Sequence, residues 1–371
     1  MAFKENYKLR KPSGIYTVGC MRFEYEHEPE EKKGMRRIPC LCFYPSNVKN
    51  GLGSPKKYTS DSLWSGVCSI MTNSYWDINI LPGKRPLLLF STGLGSTLEQ
   101  NTVQFEELAS NGYIVLSIGH EGSSFFELKN GDICAWDSKE AHHEEKRNTQ
   151  EKVEGYNKWL TESGNTASTQ EQKRKYRDYM DSMLYTADLL DIWVKDSLVA
   201  LEMLLKGVGE ESVKIRSHVD KDRIAAFGMS FGGSTALRLS VESDLIKAGV
   251  SMDGTFYWNT DWSRTINKPL MLMHTEAPKA AIRRKALLSL LNITGDFYSV
   301  EIKNSFHVNF TDYNDILAVD ENGFLGDIDP DIMERIINTL ILDFFNKYFI
   351  QEQSKYLDTN FWKDYATVSK K

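Results

Sequence analysis

The chain has 371 residues, room for one large domain or two small ones, and its apolar residues, 41% of the total, can fill a substantial core. A formal net charge of −6 excludes the basic footprint that nucleic acid requires and argues against an electrostatic membrane anchor. No apolar run approaches the length of a transmembrane helix. The opening Met1-Ala-Phe-Lys-Glu-Asn-Tyr lacks the apolar core of a secretory leader. Five cysteines without regular spacing predict free thiols in a reducing, cytoplasmic compartment.

Along the chain, Gly14 to Val18 and Met21 to Tyr25 are expected as two short strands and Ile38 to Tyr44 as a third, all antiparallel-edge candidates. Cys40 and Cys42 share one face of that third strand, but no further ligand cluster accompanies them, and no metal site is predicted. Gly51 to Pro82 reads as irregular, yet it is rich in large side chains such as Leu63, Trp64, Val67, Ile70 and Trp76. They need cover. Either they pack on the helices around the sheet, or residues 63–81 form an acyl-chain pocket or lipid-facing rim.

Pro86 to Ser91 is a short buried strand ending in Thr92-Gly93-Leu94-Gly95-Ser96. A helix from about Glu99 to Asn111 and a strand from Tyr113 to Ile118 follow, and such strand-helix-strand units build a parallel sheet. From Glu121 the chain turns polar and charged. Residues 121–180 read as a solvent-facing, partly helical insertion or lid on one domain spanning 1–371. Within it, His142-His143-Glu144-Glu145 carry metal-ligating groups, but adjacent side chains on a helix diverge by ~100°, so no metal is expected there. Leu184 to Leu205 is a strong helix whose Leu190, Val194, Leu198, Leu201 and Leu205 share one face, predicted to pack under the next strand.

That strand, Ile224 to Phe227, leads into Gly228-Met229-Ser230-Phe231-Gly232, a Gly-x-Ser-x-Gly pentapeptide. Gly233 and Ser234-Thr-Ala-Leu-Arg-Leu follow as the start of a helix. Strand, tight turn and helix are the setting of a nucleophile elbow, in which the serine sits at a strained turn and the glycines remove side chains that would clash. Three more strands are expected: Ala248 to Met252 ending at Asp253, Pro269 to His274 ending near Glu276, and Phe297 to Ile302 leading to His307. A helix from Pro330 to Phe349 closes the chain, with Asp329 as N-cap.

A serine nucleophile needs a base, and the base an orienting acid. Of the two histidines beyond Ser230, His274 belongs to a strand and is expected to pack, whereas His307 sits in a loop at the same sheet edge as the elbow and is the candidate base. Asp253 and Glu276 both end strands at that edge, and position alone allows either as the acid. The oxyanion would be held by the backbone N–H groups of Leu94, on a small-residue loop, and Phe231, at a helix N-terminus.

The ordered set Gly14-Ile-Tyr-Thr-Val-Gly-Cys, Phe90-Ser-Thr-Gly-Leu-Gly, Leu108-Ala-Ser-Asn-Gly-Tyr, Gly228-Met-Ser-Phe-Gly-Gly, Met252-Asp253, Ser305-Phe-His-Val-Asn-Phe and Gly326-Asp-Ile-Asp resembles the platelet-activating factor acetylhydrolase family and covers most of the chain. The resemblance implies an α/β-hydrolase fold, with a mostly parallel central sheet flanked by helices. It implies a Ser-Asp-His triad at Ser230, Asp253 and His307, oxyanion amides at Leu94 and Phe231, and no cofactor. It implies calcium-independent removal of short or oxidised acyl chains from the glycerol C2 position of phospholipids. The chain departs from the family pattern at Thr92, Met229, Val308 and Gly254-Thr255. With no leader of the plasma type, an intracellular relative, peripheral to membranes at most, is expected.

Two other readings stand beside this one. A carboxylesterase would prefer soluble short esters to phospholipid. A non-catalytic binding protein of the same fold would leave the serine unreactive toward a fluorophosphonate.

Overall fold

A computed structural model describes residues 2–28, 34–49, 52–136, 150–163, 166–182, 184–254, 264–276, 288 and 291–371. Among them, eleven strands form the central sheet. In chain order these are β1 (Thr17–His27), β2 (Arg36–Ser46), β3 (Ser54–Lys57), β4 (Met71–Trp76), β5 (Arg85–Ser91), β6 (Ile114–Ile118), β7 (Val219–Met229), β8 (Ala248–Met252), β9 (Leu270–Thr275), β10 (Phe297–Ile302) and β11 (Ala366–Lys370). Across the sheet they lie in the order β11-β10-β9-β8-β7-β5-β6-β2-β1-β4-β3. The stretch from β10 to β6 is parallel throughout. Antiparallel pairing is confined to the flanks, where β11 meets β10, and β2 meets both β6 and β1, and β3 meets β4.

Parallel strands need cover on both faces, and β7 shows how this sequence supplies it. Ala225, Phe227 and Met229 enter one apolar cluster, while Ile224 and Ala226 enter another on the opposite face. The first cluster is closed by the helices α1 (Thr102–Ser110), through Phe105 and Leu108, and α6 (Pro330–Phe345), through Met333, Ile337 and Phe344. Asp329 caps α6 by accepting the Ile332 N–H at 3.0 Å. The second cluster is closed by α4 (Leu184–Lys206) and α5 (Phe231–Glu242), with Val194, Leu201 and Leu204 of α4 packed beside Ile224 and Ala226 as the apolar stripe predicts.

Three expectations are corrected. The two short strands expected near the start are one continuous strand, β1, paired along its length with β2. Gly19 is not a break: a Cβ there would lie 2.2 Å from the Tyr44 ring, so the glycine marks close packing inside the strand. The stretch expected to be irregular contains β3 and β4, two short strands at one flank of the sheet, β3 forming its edge, with a shift of register between Pro55 and Lys57. Its side chains also divide. Val67 and Ile70 are buried with Leu9, Tyr58 and Val103, whereas Leu63 and Trp64 face the cavity beside Ser230.

The third correction concerns the charged insertion. Its helices α2 (Gln150–Glu162) and α3 (Thr169–Ser182) are not simply a solvent-facing lid. Tyr156, Leu160, Tyr176 and Tyr179 are buried with Leu237, Leu270 and Phe297, and the Tyr156 and Tyr179 rings stack at 4.3 Å. Polar residues dominate both helices, and the few aromatic anchors carry the packing. His142 to Glu145 lie outside the described residues. No helix among the described residues is long and apolar enough to cross a membrane.

Candidate active site

Register decides which residues meet. Gly228 pairs with Ser91 on β5 and with Ser251 on β8, and Met252 pairs with Met273 on β9. These strands therefore end together, and the turns and loops that leave them crowd one rim.

Ser230 lies between β7 and α5 with φ +57° and ψ −121°, a conformation that non-glycine residues rarely adopt. Its N–H donates to the Met252 carbonyl at 2.8 Å, which holds the turn against β8. The flanking glycines are steric necessities. A Cβ on Gly228 would lie 2.2 Å from the Gly232 oxygen, and one on Gly232 would lie 1.9 Å from the Ser91 oxygen. Neither backbone oxygen can retreat freely, because one belongs to the first turn of α5 and the other to the end of β5. Gly232→Ala is accordingly expected to cost roughly 3 kcal/mol or more, read as a lower urea midpoint or loss of soluble protein.

Asp253 follows β8 at φ +50°, its N–H donating to the Met273 carbonyl at 2.7 Å. Its carboxylate has two separate duties. Oδ1 accepts the Thr275 N–H at 3.2 Å, and Oδ2 lies 2.6 Å from His307 Nδ1. His307 Nε2 lies 2.9 Å from Ser230 Oγ. The three side chains thus form one hydrogen-bonded chain. Glu276, the competing acid, instead meets the Asn304 N–H at 3.4 Å. His274 is buried, with Nε2 2.9 Å from Ser299 Oγ, as its packing role predicts.

The loop carrying His307 is anchored by a residue whose role the sequence did not reveal. Asn309 is fully buried, and its Oδ1 accepts the N–H groups of Phe306 at 2.7 Å and Gly326 at 2.8 Å. Its Nδ2 donates to Asn314 Oδ1 at 2.8 Å. The only local signal, Asn309-Phe-Thr, has the form of a glycan acceptor, which burial of the amide precludes in the folded chain.

The loop after β5 has little amide capacity to spare. Gly93 N–H donates to Gln100 Oε1 at 2.6 Å, Gly95 N–H to the Ser123 carbonyl at 2.8 Å and Ser96 N–H to the Gly93 carbonyl at 3.1 Å. Leu94 N–H has no acceptor among the described residues, and Leu94 lines the same cavity as Ser230 and His307. Phe231 opens α5, its ring meeting Trp193 edge-on at 4.8 Å. Trp193 in turn stacks on buried His120 at 3.9 Å. His120 Nδ1 lies 2.9 Å from Asp196, and burial holds this imidazole below the usual histidine range. Burial alone would raise the Asp196 carboxyl, but hydrogen bonds with His120, His27 and Arg36 outweigh it and hold it well below the usual carboxylate range.

The cavity beside Ser230 has a volume of about 400 Å³. Tyr58, Leu63, Trp64, Phe125, Met229 and Tyr313 supply most of its apolar wall, and no Asp, Glu, Lys or Arg among the described residues lines it. The described residues also contain no cluster of three or more His, Cys, Asp or Glu side chains suited to a metal ion. Cys40 and Cys42 are free and buried, and burial pushes both thiols up.

Residues 1–364 match the family described as platelet-activating factor acetylhydrolase, isoform II. The chain belongs to this family. Among curated relatives, the platelet-activating factor acetylhydrolase of Cavia porcellus is 24% identical over 364 residues, covering 92% of this chain and 78% of its own. That of Canis lupus familiaris is 23% identical over 366 residues, covering 92% and 77%. Among solved structures, a ferulic acid esterase from Streptomyces cinnamoneus superposes with a TM-score of 0.74 at 18% identity, covering 98% of this chain and 99% of that one. The fold is that of an α/β-hydrolase, and this member of the acetylhydrolase family is an ester-hydrolysing enzyme.

Proposed function

We propose that Ser230, His307 and Asp253 form the catalytic triad of a calcium-independent serine esterase that removes short or oxidised acyl chains from the glycerol C2 position of phospholipids. The observation that carries this reading is the unbroken hydrogen-bond chain from Asp253 through His307 to Ser230. As Ser230 Oγ attacks the ester carbonyl carbon, its proton passes to His307 Nε2 and the carbonyl π pair moves onto oxygen. The oxyanion is held by the Leu94 and Phe231 N–H groups, and Asp253 stabilises the imidazolium. Collapse expels the lysophospholipid alkoxide, which takes the proton from Nε2. Water then attacks the acyl-enzyme with His307 again as base, and Ser230 recovers its proton as the acid departs.

Two things support the substrate class: the names of the curated relatives, and a cavity of about 400 Å³ with an aromatic and aliphatic wall of a size suited to a short acyl chain. A second reading, a carboxylesterase acting on soluble esters, is favoured by the lack of a cationic side chain on the described cavity wall to meet a phosphate. The proposed setting is the cytoplasm, with transient contact at lipid surfaces. The deciding experiment measures kcat/KM, in the presence of a chelator, for phospholipids with graded C2 acyl lengths beside soluble short-chain and aromatic esters. Preference for short-chain phospholipid supports the first reading; preference for soluble esters transfers the assignment to the second.

Trp64 is proposed to set the depth of the acyl cavity. It ends a short helical turn, Asp61–Trp64, and its ring is wedged against Phe3 at 4.9 Å and Tyr313 at 6.0 Å. Trp64→Ala is expected to raise the kcat/KM ratio of hexanoyl over acetyl esters roughly tenfold. An unchanged ratio would place the acyl chain elsewhere.

A further inference from the structure

We propose that Gln100 is a positioning residue for the oxyanion loop, a proposal that rests on the serine-esterase reading. Its side chain is almost wholly buried at the back of the cavity. Oε1 accepts the Gly93 N–H at 2.6 Å, and Nε2 lies 3.2 Å from Met229 Sδ. The orientation of the amide is chemically determined. Gly93 N–H can only donate, so the amide oxygen faces it and the NH2 faces the sulfur, a weak acceptor. A third tie comes through the backbone, where the Gln100 carbonyl accepts the Asp312 N–H at 3.0 Å. Gln100 therefore joins the loop after β5, the residue before the nucleophile and the segment that carries the base.

The loop needs this tie because it contains adjacent amides of which one is to serve the oxyanion. Gly93 lacks the side chain that would restrain its backbone, so rotation of either peptide unit beside it could turn the Gly93 N–H toward the cavity or the Leu94 N–H away from it. Gln100 occupies the Gly93 N–H from behind and packs on that glycine: a Cβ there would lie 3.1 Å from Gln100 Nε2. With Gly95 and Ser96 engaged elsewhere in the protein, Leu94 N–H is the amide left for the cavity. Its benefit arises when charge develops on the carbonyl oxygen, so removing the tie acts on the transition state rather than on substrate binding.

The test uses Gln100→Leu in the full chain, with folding checked by circular dichroism and Ser230 reactivity by fluorophosphonate labelling. The expected result is a fall in kcat of about tenfold to a hundredfold with KM changed less than about twofold. With a trifluoromethyl ketone, Ser230 Oγ bonds to the carbonyl carbon, the carbonyl π pair moves onto oxygen and the Ser230 proton goes to His307 Nε2, so the adduct carries an oxyanion and reports its binding. The affinity of the ketone is expected to fall by the same factor as kcat/KM. A kcat within twofold of wild type, or an equal loss shared between KM and kcat, overturns the role. So does loss of kcat with unchanged ketone affinity.

A measurement on the unmodified protein decides the matter even where the variant does not fold. With glycine and leucine amides labelled with 15N, ketone binding is expected to move the Leu94 proton resonance downfield and leave that of Gly93 in place. A downfield shift at Gly93 would show that its N–H leaves Gln100 to serve the oxyanion, and would overturn the proposal. Failure of the underlying reading looks different: wild-type protein would resist the fluorophosphonate, or Ser230→Ala would keep its activity.

Discussion

Ser230→Ala is expected to lower kcat/KM for p-nitrophenyl acetate by about 10⁴- to 10⁶-fold and to abolish fluorophosphonate labelling, with the circular dichroism spectrum unchanged. The hydroxyl 2.9 Å from His307 Nε2 is the atom that would form the acyl bond, and nothing else on the described cavity wall stands in its relation to an imidazole. The substitution is also structurally mild. Alanine keeps the Cβ that already occupies the φ +57° turn, and the N–H to Met252 is untouched. Loss of activity therefore reports the hydroxyl and not the elbow. Retained hydrolysis would remove Ser230 from the mechanism, whatever the geometry around it.

The second large effect separates the two acids. Asp253→Asn is expected to lower kcat by about 10⁴-fold, while Glu276→Gln stays within a few-fold of wild type. The argument turns on Thr275. Its N–H donates to Asp253 Oδ1, so the carbonyl oxygen of an asparagine would remain on that side and its NH2 would face His307 Nδ1. Nδ1 must then accept, which puts the ring proton on Nε2, where it cannot take the proton of Ser230. Glu276 makes its contact with Asn304 and has no path to the imidazole among its described contacts. Comparing kcat for the two variants over the pH range of wild-type activity is the measurement. The reverse ranking would assign the acid to Glu276.

The elbow was legible because its requirements are local. Gly228, Ser230 and Gly232 stand within five residues, and the steric reason for both glycines operates over that distance. The turn at Gly93-Leu94-Gly95, where the oxyanion is proposed to sit, was legible as a turn for a similar reason, as a glycine-rich stretch after a buried strand. Gln100 and Asn309 were not, because a buried amide acquires its role from partners elsewhere in the chain, and no composition or spacing rule singles it out. The helices α2 and α3 were misjudged through their charge, since a few tyrosines suffice to anchor a hairpin whose remaining surface is wet. The single strand β1 was expected as two because the close packing of Gly19 on Tyr44, which keeps a glycine inside the strand, is a contact with a neighbouring strand that the local sequence does not display.

By itself, the sequence determined the alternation of buried strands with amphipathic helices, the serine on its sharp turn and the histidine that follows the last parallel strand. Each of these rests on short-range periodicity or on sterics within a few residues. Only the tertiary structure brought Asp253, and not Glu276, to hydrogen-bond distance of His307, joined the His307 loop to Ser230 and showed which amides of the Gly93 loop are already engaged. Those outcomes depend on the direction of side chains brought together across sequence separations of 54 and 77. Strand register and packing set that direction, and no local pattern encodes it.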